Sequence, residues 1–256
     1  LNDTFNGTVD SDASSGETFT IADIIDGGAG TDTLSWTVNV QTTSGNAGLP
    51  AAAISNVEVF KIRNVEGAIE TVDMSAVSGE TKVVSNLSTA EVAFSNVASG
   101  AELEVIGNGS LTNAASAITY AAGTASTVTI KGGTTAGAIT VDDAADTVLT
   151  QTINSQGEAN TTGAFTVGGG TTAVTVNATS GLTLGSLTDG GDTITTLTVT
   201  GAGAVDMGTA DGTELATVNA SATTGGFTFA GAAVAAASTR DTATAGVDGA
   251  DVTITG

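Results

Sequence analysis

The chain has 256 residues, 27 of them acidic and 5 basic, for a net charge of −22. With no cysteine and no histidine it can form no disulfide, no thiolate or imidazole zinc site and no Ser-His dyad. The charge argues against nucleic acid and anionic membranes as partners and favours divalent cations.

Hydrophobic residues reach 40% and charged residues only 12%, so the acidity does not signal disorder. Val and Ile recur at strand spacing among Thr, Ser, Gly and Ala, which predicts an ordered all-β protein with small, closely packed side chains. No apolar run approaches the roughly 20 residues of a membrane span, and no membrane insertion is expected.

Residues 1 to 34 carry 6 of the 17 aspartates. Asp3-Thr4-Phe5-Asn6-Gly7-Thr8 reads as the tail of a glycine-aspartate repeat. Asp10 and Asp12 follow in a Ser-rich loop, and Phe19-Thr20-Ile21 predicts a short strand. The most specific stretch is Asp23-Ile24-Ile25-Asp26-Gly27-Gly28-Ala29-Gly30-Thr31-Asp32-Thr33-Leu34, which fits the pattern Gly-Gly-x-Gly-x-Asp-x-apolar. Glycines allow a tight turn with inward carbonyls, and the aspartates add charged oxygens, a donor set suited to Ca2+. The expected ligands are the Asp26 and Asp32 carboxylates and carbonyls near Gly28 and Gly30, with help from Asp3 and Asp23. Bound calcium would relieve the repulsion among these carboxylates, and its binding energy would become folding energy.

Leu34 to Val40 alternates as a half-buried strand, Gln41 to Pro50 is a loop, and Val57 to Ile62 is a strand. From residue 68 onward, short β runs recur with starts about 8 to 12 residues apart. Ala173–Ala178, Thr196–Gly201 and Leu215–Ala220 are three versions of one strand, each followed by a second, at a period near 20. That period and the small inward residues predict a parallel β-solenoid-like stack of short strands. A β-sandwich is the alternative, although few connections look like two-residue hairpins. The best helix candidate, Ala232–Ser238, is short and has no charged face. Two regions are expected: 1–50, the calcium segment with the first strands, and 51–256, the repetitive β region. The strand-like ending suggests a piece of a longer chain.

Asp189/Asp192, Asp248/Asp251 and Asp142/Asp143/Asp146 are weaker cation candidates, each better read as solvated turn residues. No nucleophile elbow, dinucleotide fingerprint or phosphate loop is present. A carboxylate pair for glycoside hydrolysis would want an aromatic cleft, and Trp36 and Tyr120 are the only aromatics beyond seven phenylalanines. No catalytic residue is expected. Seven Asn-x-Ser/Thr sequons stand against about four expected by chance from this composition, and the excess decides nothing.

Gly27 to Trp36, followed after a loop by Ile54-Ser55-Asn56-Val57-Glu58-Val59-Phe60, resembles the repeats-in-toxin (RTX) surface-layer proteins of Gram-negative bacteria, the Caulobacter type in particular. The match covers residues 1 to about 60; beyond that only composition and strand rhythm agree. The same block occurs in large secreted adhesins and biofilm matrix proteins. The resemblance implies type I secretion, an extracellular location at the cell surface, and calcium-dependent self-assembly into a lattice. Lipopolysaccharide or a surface glycan would be met through regions outside these residues. The chain departs from the family in having few glycine-aspartate repeats. The reading from sequence is a structural, non-enzymatic protein whose partner is itself. The alternatives are a stalk or ligand-binding segment of an adhesin, and a degenerate polysaccharide lyase with few basic residues to steady a uronate.

Overall fold

A computed structural model of the chain describes residues 1–10, 16–39, 48–210, 215, 217–231 and 252–255. Asp12, the Asp248/Asp251 pair and the helix candidate Ala232–Ser238 lie outside the described residues. Those described are strands, turns and loops, with no helix among them.

Every strand pairing is parallel, which excludes the sandwich alternative with its antiparallel hairpins. The chain alternates between two sheets. Val59–Asn64 lies in the first, Glu70–Asp73 in the second, Lys82–Asn86 in the first again and Val92–Val97 in the second again. Each return lands beside the strand one coil earlier, building a β-solenoid of about eight turns. The first sheet has ten strands and the second eleven; a two-stranded sheet pairs Ile24–Asp26 with Ala53–Ser55. Thr4 lies opposite Thr33 but Lys82 opposite Glu102, so coils vary from 29 to 20 residues. The strands keep register while the corners absorb the difference. The first sheet continues across residue 50, with Thr33–Val38 beside Val59–Asn64.

The core lies between the sheets and follows from the period of two along each strand. Leu34, Phe60, Val83, Leu103, Val128, Ile153, Val176 and Val199 form one unbroken inward ladder, all buried. In a parallel stack each such side chain meets its counterparts above and below, and burying one contributes about 1.5–3 kcal/mol.

Two expectations are corrected at the amino-terminal end. Thr4–Val9 is a full strand of the first sheet, not a repeat tail. Phe19–Ile21 is not a strand. The Asp23 carboxylate accepts the Thr20 N–H at 2.6 Å and closes a turn there. That turn drops Phe19 edge-on against Trp36, with ring centroids 6.2 Å apart. Gly7 makes room for it, since a Cβ there would stand 2.6 Å from Phe19 Cβ. Ser116–Tyr120, a strand of the second sheet, was not expected from its Ala-rich flanks.

Candidate cation-binding corner

The glycine-aspartate loop forms the corner by which the chain returns to the first sheet at Thr33–Val38, and it is stitched to coils on both sides. Towards the amino terminus, the Leu1 ammonium donates to Ala29 O at 2.7 Å, Thr31 N–H donates to Asn2 Oδ1, and Asp3 N–H donates to Asp32 Oδ1 at 2.6 Å. On the other side, Asp32 N–H donates to Glu58 Oε2 at 2.8 Å and Gly27 N–H to Ser55 O at 3.1 Å. Gly27 and Gly30 are needed for close contact, and Gly28 for its backbone conformation. A Cβ on Gly27 would lie 1.9 Å from Asn56 O and 2.7 Å from Asp32 Cβ. A Cβ on Gly30 would lie 2.4 Å from Leu1 O, and Gly28 has a left-handed φ of 78°.

The Asp26 carboxylate has a local task. Its Oδ1 accepts the Asn56 side-chain amide at 2.7 Å and the Gly28 N–H at 3.1 Å. These donors, Asn56 first, hold its pKa below the ordinary carboxylate value. The same clamp recurs one coil pair later, where Asp73 Oδ1 accepts the Asn96 amide at 2.8 Å and Ser75 N–H at 2.9 Å. Its pKa is lowered in the same way. Asn56 and Asn96 both sit in the left-handed region, at φ of 52° and 55°, which asparagine tolerates better than most residues. The sequence shows the pair as Ile54-Ser55-Asn56-Val57 and Phe94-Ser95-Asn96-Val97. Those two matching tetrapeptides mark the asparagines, while their partners lie 30 and 23 positions upstream.

Asp32 is different. It is fully buried, and while Oδ1 takes the Asp3 N–H, Oδ2 has no hydrogen-bond partner. This orphaned oxygen and Asn56 O lie against the same face of Gly27, at 2.8 and 1.9 Å from where a Cβ would stand. A buried carboxylate oxygen with no donor is costly, and a hard cation is a chemically apt partner for it. Asp32 Oδ2 and Asn56 O are thus two oxygens of the kind calcium takes. Asp23 is occupied by its turn, and no three of Asp3, Asp23, Asp26 and Asp32 converge. Among the described residues the one group of three carboxylates within 4.8 Å is Asp142, Asp143 and Asp146. Sequence reasoning missed Glu58, which links Asp32 to the next coil.

In that second cluster Asp143 is already satisfied. Its carboxylate accepts Thr147 N–H at 2.8 Å, Thr147 Oγ1–H at 2.7 Å and Val148 N–H at 3.2 Å. Burial works to raise its pKa, but these donors outweigh it and the net shift is downward. Asp189 repeats the role, accepting Thr193 and Ile194 N–H at 2.7 Å each. The two corners share the spelling Asp-x-x-Asp-Thr-Val/Ile, with Asp146 and Asp192 both left-handed at φ of 50° and 51°. Many of the acids are thus corner caps, holding backbone N–H groups that the turn leaves unpaired. No protein-family profile, curated protein or solved structure matches the chain.

Proposed function

We propose that this chain is a structural, non-enzymatic segment of an extracellular bacterial surface protein, one that self-assembles into a lattice or matrix with calcium holding its amino-terminal corner. The observation that carries the reading is the orphaned oxygen of buried Asp32, at a corner joined to the coil on either side. Calcium there would be held by Asp32 and adjacent carbonyls, supplying the partner that Asp32 Oδ2 lacks. With it in place the first coils are rigid, and Thr4–Val9 is held in register against Thr33–Val38. Without it the buried Asp32 carboxylate is left half-satisfied and the corner loosens.

Thermal unfolding and electron microscopy of the whole chain in millimolar calcium and in excess chelator test this. Calcium should raise the melting temperature and promote ordered assemblies, and Asp32→Asn should remove both responses. Identical melting and identical assembly state in the two conditions would sink the proposal.

A further inference from the structure

The outer face of the first sheet carries a shallow trough of about 540 Å³. It crosses six successive strands, from Thr4–Val9 to Ala125–Lys131. Five strand spacings make it roughly 24 Å long. Lys61, Lys82 and Lys131 line it, and Arg63 is the next outward residue along the strand of Lys61. Four of the chain's 5 basic residues are thereby gathered on one face, although they are spread over 71 positions of sequence. The fifth, Arg240, lies outside the described residues.

Two of the lysines are fixed in place. Glu104, 6% exposed, takes Lys82 at 3.1 Å and Lys131 at 2.8 Å on the same oxygen, and Glu102 takes Lys82 at 3.1 Å. Two acids thus balance two lysines. Lys61 and Arg63 have no ion pair among the described residues, so the trough is positive in a protein whose net charge is −22. Beside Lys61 the wall is polar: Ser35 is its neighbour across the ladder, and Thr33, Thr4 and Asn6 lie beyond.

We propose that this trough binds a linear acidic polysaccharide, carboxylate groups meeting Lys61 and Arg63 and hydroxyls meeting the Thr, Ser and Asn side chains. An open channel of this length suits a polymer rather than a compact metabolite. No aromatic ring lines it, which disfavours a nucleic acid strand that would need stacking. An extended peptide seeks the backbone groups of a sheet edge, whereas this floor is a sheet face offering side chains. The site goes beyond the structural reading above and does not depend on calcium at Asp32.

Calorimetric titration of the whole chain with polygalacturonate oligomers tests it, with neutral dextran and single-stranded DNA as competitors. The titration is run in calcium and in chelator, with folding checked by circular dichroism. Polygalacturonate should bind in both conditions and weaken with salt, and neither competitor should displace it. Lys61→Gln with Arg63→Gln should weaken binding about tenfold at unchanged melting temperature. Ser35→Lys, which adds a cation beside Lys61, should tighten it. No binding by the wild type, full binding by the double variant, or displacement by DNA would overturn the proposal. So would a double variant that loses self-association while still holding polygalacturonate, because the face would then serve a second copy of the chain.

Discussion

Asn56 reaches back one coil to give its side-chain amide to Asp26 at 2.7 Å, and Asn96 does the same for Asp73 at 2.8 Å. The clamp needs both the amide and the left-handed backbone. Alanine at either position loses the hydrogen bond and adds roughly 1 kcal/mol or more of backbone strain. Glycine keeps the backbone and loses only the bond. Chemical denaturation should rank wild type above Asn→Gly above Asn→Ala at both sites. Equal stability of the Gly and Ala variants would show that the φ values do not matter.

Asp143 makes stability pH-dependent in a defined direction. Its pKa is lowered in the folded chain, so its contribution is full above the unfolded value near 3.9 and is lost as pH falls through the lower folded one. Asp143→Asn should cost about 2 kcal/mol at pH 7, with part of the cap retained through the amide oxygen. The gap between variant and wild type should narrow as pH is taken from 5 towards 2. Unfolding curves across that range check it, and a gap that widens on acidification would refute the assignment.

Gly27 and Gly28 separate crowding from strain. Gly27→Ala drives a methyl into Asn56 O and Asp32, a clash with backbone that cannot step aside, and should cost about 3 kcal/mol. Gly28→Ala meets nothing within 4 Å and should cost only the roughly 1 kcal/mol of its left-handed φ. If calcium binds through Asp32, Gly27→Ala should also weaken it, whereas Gly28→Ala should leave it near wild type.

The single tyrosine and single tryptophan are natural reporters. Tyr120 is buried, its hydroxyl donating to Ala101 O at 2.6 Å, and burial chiefly pushes its pKa well above the usual 10. No tyrosinate absorbance should appear below pH 11 while the chain is folded. Trp36, also buried, should emit at short wavelength and red-shift on unfolding of the amino-terminal coils. A tyrosinate signal at pH 10 in the folded protein would place Tyr120 in solvent.

The strand texture was legible because a solenoid writes its core locally. Ala173–Ala178 and Thr196–Gly201 alternate inward and outward residues and lie in register as the repeat suggested. The corners were not legible. Asp26 and Asp32 belong to one motif in sequence, yet one is an exposed clamp and the other a buried, half-satisfied carboxylate. The difference comes from Asn56, Glu58 and Asp3, which approach only once neighbouring coils stack. Thr4–Val9 was hidden because Asn6-Gly7 looks like a turn, whereas Gly7 is glycine to admit Phe19. The cationic trough was invisible for the same reason: Lys61 and Lys131 are 70 positions apart along the chain but three strands apart across the sheet.

The all-parallel ladder also makes the molecule mechanically anisotropic. Its interstrand hydrogen bonds point along the stacking direction, so tension applied between the first and last coils falls on the terminal seam alone and peels it. Each detached coil of 20 to 29 residues adds roughly 70–100 Å of slack before the next seam is loaded. An optical trap should record a staircase of unequal steps rather than one rupture. A chain so built would yield under tension a little at a time and rewind when the pull is relaxed.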